Sequence, residues 1–98
     1  MATKLLSITA EELMPRNRHR KSLVFQNEDT TDSIFLKRER AETPTVSSTD
    51  HDHRLGPGAS IALNAGTDGI ESTQDRWTAV ASANTPRVSF FETEDIIR

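Results

Sequence analysis

Short runs of alternating apolar and polar residues constrain this chain more than any other sequence feature. Six runs of five to eight residues show the alternation, at 4–9, 21–26, 33–37, 59–63, 76–83 and 87–92, and a weaker candidate lies at 45–47. No segment of ten or more residues has the apolar spacing of three, four and seven that marks a helix. Because successive side chains of a strand point to opposite faces, each run predicts a strand with one buried face.

Turn-forming residues separate these runs. In Gly56-Pro57-Gly58 the proline restricts φ and Gly58 tolerates a positive φ, as a type II turn requires. Short strands divided by turns predict an all-β fold. We expect a small antiparallel β-sandwich, either jelly-roll or immunoglobulin-like, with six to eight short strands and N- and C-terminal arms.

The length of 98 residues predicts a single domain, residues 1–98. Its core is expected at about 4–92, and residues 93–98 form an arm. Ile96 and Ile97 in that arm are candidates for docking on a partner, with a frayed terminus as the alternative. Only 21 residues are Leu, Ile, Val or Phe, so the core is thin, and small domains of this kind often rely on partner subunits.

One segment hints at a helical turn. Thr9 and Glu12 have the spacing of a capping box, and Pro15 limits such a helix to about one turn. A turn between two strands explains the same residues equally well.

Composition excludes several classes of function. The net charge is −3, whereas general nucleic-acid binders are basic, so we expect no specific nucleic-acid partner. The absence of cysteine excludes disulfides, thiolate zinc sites and cysteine nucleophiles. No apolar run approaches the roughly 18 residues of a membrane span, and the first residues lack a signal-peptide pattern. We expect a soluble protein made in the cytoplasm, without a membrane partner.

Catalytic motifs are absent from the sequence. It contains neither a G-x-S-x-G elbow nor a phosphate-binding P-loop. Its paired carboxylates, such as Glu11 and Glu12, occur in polar segments that offer no burial to shift a pKa. We therefore predict that the protein is not an enzyme and has no cofactor.

The segment Asp50-His51-Asp52-His53 is a candidate metal site. On a strand, His51 and His53 would share a face and present two imidazole ligands. His19 is the only other histidine, so a four-ligand site lacks donors. A metal-dependent binding module and a solvated polar loop both remain open.

Residues 16–21 concentrate positive charge in an otherwise acidic chain. Arg16, Arg18, Arg20 and Lys21 are candidate contacts to a partner. Such a patch suits phosphates or an acidic protein surface. No aromatic residue stands beside it for base stacking, which favours a protein. A solvated loop is the alternative.

Four apolar residues fall on the strand faces that should be polar: Val24, Phe35, Val80 and Phe91. Apolar outer faces indicate that part of the sandwich is covered by a second subunit or a larger scaffold. A bulge that reverses strand parity would give the same pattern.

The order of the motifs resembles that of small virion proteins of tailed bacteriophages, of the capsid decoration (cement) or head-fibre β-sandwich type. In those proteins a proline and a basic turn lead into a strand of the form R-x-S-L-x-I-Q-N, and residues 20–27 of this chain, RKSLVFQN, match that form except at Phe25. The matching blocks that follow are SIFL (33–36), LGPGASI (55–61), RWTAVAS (76–82) and RVSFFE (87–92). The insertion at 38–53 and the acidic tail after Glu92 depart from the pattern.

The resemblance implies a virion structural protein. We expect a decoration protein that binds the major capsid protein on the outer surface of the virion, stabilises capsomer junctions and forms a homotrimer. The alternative is a fibre or receptor-binding component of the same virion, with the loops at 29–32, 42–53 and 64–75 facing a host molecule.

Overall fold

The computed structural model describes residues 2–40, 42–64, 66, 69 and 73–94. This part of the chain is nearly all-β. Its eight strands are β1 (Ala2–Leu5), β2 (Glu11–Met14), β3 (Arg20–Asn27), β4 (Ile34–Arg38), β5 (His53–Leu55), β6 (Ser60–Asn64), β7 (Trp77–Ala81) and β8 (Arg87–Glu94).

The strands form two four-stranded antiparallel sheets. The first sheet has the order β1-β8-β3-β6, and the second has the order β2-β7-β4-β5. Every connection except that from β4 to β5 crosses between the sheets. This order is that of an eight-stranded jelly roll. The sequence-based prediction of a small antiparallel β-sandwich is confirmed, and the strand order favours the jelly roll over the immunoglobulin-like arrangement.

The core lies between the two sheets. Phe25 of the first sheet meets Trp77 of the second, with ring centroids 5.6 Å apart. Trp77 shares its face with Ala79 and Ala81, as alternation predicted. Small alanines beside the large indole let the facing side chains pack closely.

The structure differs from the sequence-based prediction at the start of the chain. Glu11–Met14 is a strand paired with β7, neither a capped helical turn nor a turn. Both Leu13 and Met14 are buried because the register shifts between Glu12 and Met14. The run at 4–9 predicted a strand, but β1 ends at Leu5, and Ile8 of that run is 71% exposed.

The connection from β4 to β5 folds over the outer face of the second sheet. Val46 of this connection packs against Phe35 and Val80, and all three side chains are buried. The chain thus covers its own apolar outer residues here, and the prediction that a second subunit or a larger scaffold covers Phe35 and Val80 is wrong. The strand candidate at 45–47 is reduced to one isolated bridge, between Ser47 and Asp50.

A buried carboxylate fixes the start of this connection. Glu39 accepts hydrogen bonds from the backbone N–H of Thr45, at 2.9 Å, and from the hydroxyls of Thr45 and Thr78. Burial alone raises the pKa of Glu39, but these hydrogen bonds outweigh it and hold the pKa below its usual value. Near the other end of the connection, Asp50 forms a 2.7 Å ion pair with Lys37 of β4.

Candidate functional site

Residues 16–21, here called the basic turn, comprise the last four residues of the β2–β3 connection and the first two residues of β3. Backbone hydrogen bonds fix their path: Asn17 N donates to Gln74 O at 2.9 Å, and Arg20 N donates to Asn17 O at 3.1 Å. The Asn17 side-chain oxygen accepts from His19 N at 3.0 Å, the Asx geometry that asparagine favours in turns. Three hydrogen bonds therefore hold the backbone of the turn.

Arg20 supports the basic turn from inside the protein. Its Nη1 donates to the carbonyl oxygens of Thr73 and Asp75, at 2.9 and 3.0 Å. Its Nη2 donates to Pro15 O at 2.7 Å, and its Nε forms an ion pair with Glu92. Arg20 is only 1% exposed. The sequence-based assignment of Arg20 as a partner contact is corrected, because its guanidinium cannot reach a partner.

A bulge explains why Arg20 points inward. In a regular strand Arg20 and Ser22 would share a face, and Ser22 faces outward beside Thr93. The register shifts between Arg20 and Ser22, which leaves one extra residue, Lys21, in β3. The shift reverses the direction of Arg20 relative to Ser22.

The other three cations of the basic turn are exposed. Arg16, Arg18 and Lys21 form no ion pair and no side-chain hydrogen bond within the described part of the chain. Elsewhere in that part, most Lys and Arg side chains are paired with a carboxylate: Lys4, Lys37, Arg38, Arg40 and Arg76. The basic turn thus concentrates cations that lack an internal partner.

A cleft of about 450 Å³ opens beside the turn, lined by Arg16, Asn17, Arg18 and His19. Asn17 Nδ2 donates to Glu94 Oε1 at 2.9 Å and ties the end of β8 to the cleft. An arginine can bind a carboxylate or phosphate through two parallel N–H groups. The arrangement can therefore bind acidic groups.

Sequence reasoning missed Asn17. Its side chain orders the turn through His19 N and lines the cleft. The only available signal was an asparagine between two arginines, a residue type that favours turns. Ile96 and Ile97, the other predicted contacts, lie outside the described residues.

The two histidines of the predicted metal site are not brought together. The ring of His51 lies 4.8 Å from that of Phe35, on the outer face of the second sheet. The ring of His53 stacks on Trp77 at 5.8 Å, on the core side. In the described segments no group of three or more His, Cys, Asp or Glu side chains could hold a metal ion. The expectation that His51 and His53 share a face is wrong, because β5 begins only at His53.

Comparisons with known proteins yield no relative. Neither the protein-family models, nor the curated proteins, nor the solved structures contain a match to this chain. The described ranges contain no helix with the length and hydrophobicity of a membrane span.

Proposed function

We propose that this protein is a virion structural protein, a capsid decoration protein that binds the outer surface of a bacteriophage capsid. The observation that carries the proposal is the basic turn, where Arg16, Arg18 and Lys21 lack a partner within the described residues while Arg20 holds their backbone from inside. Exposed cations on a backbone that is already ordered suit an acidic protein surface, because binding then orders only their side chains and not the turn itself.

The fold and the motif order support the same role. An eight-stranded jelly roll is an architecture used by viral capsid domains, among others. The sequence blocks resemble small tailed-phage virion proteins in their order along the chain. Fold alone does not determine function, so the proposal depends on the surface of the basic turn.

Binding through this surface requires no chemistry. Each copy would join acidic groups of neighbouring capsid subunits at the cleft beside Arg16 and Arg18. Individual charged contacts at a protein surface are weak, and multivalent attachment would raise the overall affinity. Stabilisation of capsomer junctions would then follow from the bridging of adjacent subunits. Self-association belongs to this proposal too, and the sequence-based expectation is a homotrimer.

The number of copies per particle tests the proposed role. Quantitative mass spectrometry of purified particles of the source virus gives the ratio of this chain to the major capsid protein. A ratio near one copy per capsid subunit or per capsomer is expected for decoration. A few copies per particle would contradict decoration and support a fibre or receptor-binding component. Complete absence from particles would overturn both virion roles.

A further inference from the structure

The connection between β4 and β5 covers the second sheet without taking part in the main core. Its residues 42–52 are called the strap here. Val46 of the strap packs on Phe35 and Val80, and these three side chains form a buried cluster of their own. The buried residues between the two sheets form a separate cluster. Detachment of the strap would therefore uncover Phe35 and Val80 without opening the main core.

Carboxylates supply most of the polar ties that hold the strap to the protein. Three of them accept a hydrogen bond at 2.7 to 2.9 Å: Glu39 from Thr45 N, Asp50 from Lys37 Nζ and Asp52 from Arg38 N. Among the described residues, two ties need no carboxylate. Lys37 Nζ donates to Thr45 Oγ1 at 2.9 Å, and Asp52 N donates to a carbonyl oxygen of β4 at 2.8 Å. Acid therefore acts directly on the groups that fasten the strap.

We propose that the strap is a lid released by acid, which detaches from the second sheet and uncovers Phe35 and Val80 while the sandwich stays folded. A protonated carboxylate accepts hydrogen bonds more weakly and offers Lys37 no negative charge. The apolar contacts that remain are those of Val46 and of the His51 ring, which lies 4.8 Å from the ring of Phe35. The protein then has an apolar surface that is covered at neutral pH and exposed in acid.

The surroundings of Glu39 give the direction of the pH effect. Burial raises the pKa of Glu39, but hydrogen bonds from Thr78 and Thr45 and the charge of Lys37 together hold this pKa below the ordinary value of 4.5. Ionised Glu39 therefore stabilises the closed strap above about pH 4.5. This contribution is lost as the pH falls from 4.5 through the pKa of Glu39 in the folded protein.

The other charged groups near Glu39 do not take over its role. The hydrogen bond to Asp50 raises the pKa of Lys37, so Lys37 stays cationic in acid while its partners lose their charge. The charged residues that precede β7 form ion pairs away from the strap: Asp75 with Arg38 and Arg40, and Arg76 with Glu12. From β7 itself, Thr78 presents only a neutral hydroxyl to Glu39.

Labelling of introduced thiols tests the proposal, because the chain has no cysteine of its own. Val80→Cys places a thiol beneath Val46, and the matched control, Val88→Cys, places one in the main core. The reagent is dithiodipyridine, which reacts with thiols in acid, and each rate is divided by that of a free thiol at the same pH. Between pH 7 and pH 3.5, labelling of Val80→Cys should accelerate about tenfold more than that of Val88→Cys.

A second pair of variants tests whether Glu39 controls the strap. In the Val80→Cys background, Glu39→Gln should raise labelling several-fold at pH 7 and leave less acceleration in acid, because neutral glutamine is a weaker acceptor for Thr45 and Thr78. Glu42→Gln is the control, since Glu42 is exposed on the strap. It should label like its parent at both pH values.

Trp77 reports on the sandwich in the same samples. It is the single tryptophan of the chain and is 2% exposed in the main core, so its fluorescence emission maximum should stay unchanged at pH 3.5. A Val80→Cys thiol that stays unreactive at pH 3.5 would refute acid release. Equal acceleration of both thiols, or a shift of the Trp77 emission together with labelling, would show global unfolding and refute a separate lid. None of these readouts involves a capsid, so their outcome is independent of the proposed function.

Discussion

Nη2 of Arg20 donates a 2.7 Å hydrogen bond to the carbonyl oxygen of Pro15 and closes the basic turn from the interior. The same guanidinium binds Thr73 O and Asp75 O and pairs with Glu92. One buried side chain thus joins the start of the turn, the segment before β7 and the end of β8. The exposed cations of the turn depend on this support.

Replacement of Arg20 should destabilise the fold strongly. In Arg20→Met three carbonyl oxygens lose their donor and Glu92 loses its partner, so we expect a loss of about 3–5 kcal/mol in the free energy of unfolding. Arg20→Lys keeps the charge but not the planar set of donors and should restore only part of it. Urea denaturation measures both, with Arg18→Met as the control, expected to change stability by less than about 0.5 kcal/mol. Equal stability of Arg20→Met and Arg18→Met would contradict the assigned role.

Glu39 should make stability depend on pH. Its pKa in the folded protein lies below the ordinary value of 4.5, so ionised Glu39 stabilises the fold above that pH. This contribution is lost as the pH falls from about 4.5 through the folded pKa.

Glu39→Gln should cost about 2 kcal/mol at pH 7 and flatten the pH dependence between pH 6 and 3, because neutral glutamine accepts the hydrogen bonds of Thr45 and Thr78 more weakly. Thermal unfolding across this range measures it. Glu42→Gln, at an exposed position, is the control and should follow the wild type. An unchanged slope in Glu39→Gln would argue against the buried carboxylate as the cause.

Val46 should be required to cover the second sheet. It is 3% exposed between Phe35 and Val80. Val46→Asp buries a charge without a partner, so the connection should detach, with a loss of about 3 kcal/mol and new binding of a hydrophobic dye. Limited proteolysis should cut the variant between β4 and β5 faster than the wild type, and faster than Ser48→Asp, whose side chain is exposed. Equal cleavage of the three proteins would show that Val46 does not hold the connection.

Zinc should not bind at the two histidines. The rings of His51 and His53 contact Phe35 and Trp77 on opposite faces of the second sheet. One metal ion therefore cannot take both imidazoles without local unfolding. Calorimetric titration of the wild type with zinc, compared with His51→Ala, should give no saturable heat that depends on His51. A stoichiometric signal lost in His51→Ala would restore the metal-dependent module.

Alternation in the sequence was enough to predict most of the sandwich. The runs containing Leu23, Leu36, Leu63, Trp77 and Val88 each became a strand with the expected buried face. Where prediction failed, a bulge or a long connection decides the outcome. The bulge after Glu12 buries Leu13 and Met14 together, so β2 shows no alternation. The path of Val46 across the second sheet depends on tertiary contacts that no local pattern records.

The sequence predicted where positive charge concentrates, but not which of these side chains are exposed and which is buried. Charge density singled out residues 16–21, but the residue types alone do not distinguish the buried Arg20 from the exposed Arg16 and Arg18. The bulge at Lys21 separates them, because it turns Arg20 into the interior and leaves its neighbours exposed. A register shift of one residue cannot be read from the hydrophobic pattern of so short a strand.

Cosedimentation of the purified chain with capsids that lack it tests the central claim most directly. Wild-type protein should pellet with capsids at low salt and less at high salt, and Arg16→Glu/Arg18→Glu should lose most binding, because like charges repel. Arg87→Glu is the matched control: Arg87 is exposed, has no ion pair within the described residues, and lies about 23 Å along β8 from the strand end next to Arg20. It should bind like the wild type. Binding that is unchanged by salt and by the double reversal would contradict the proposed role of the basic turn.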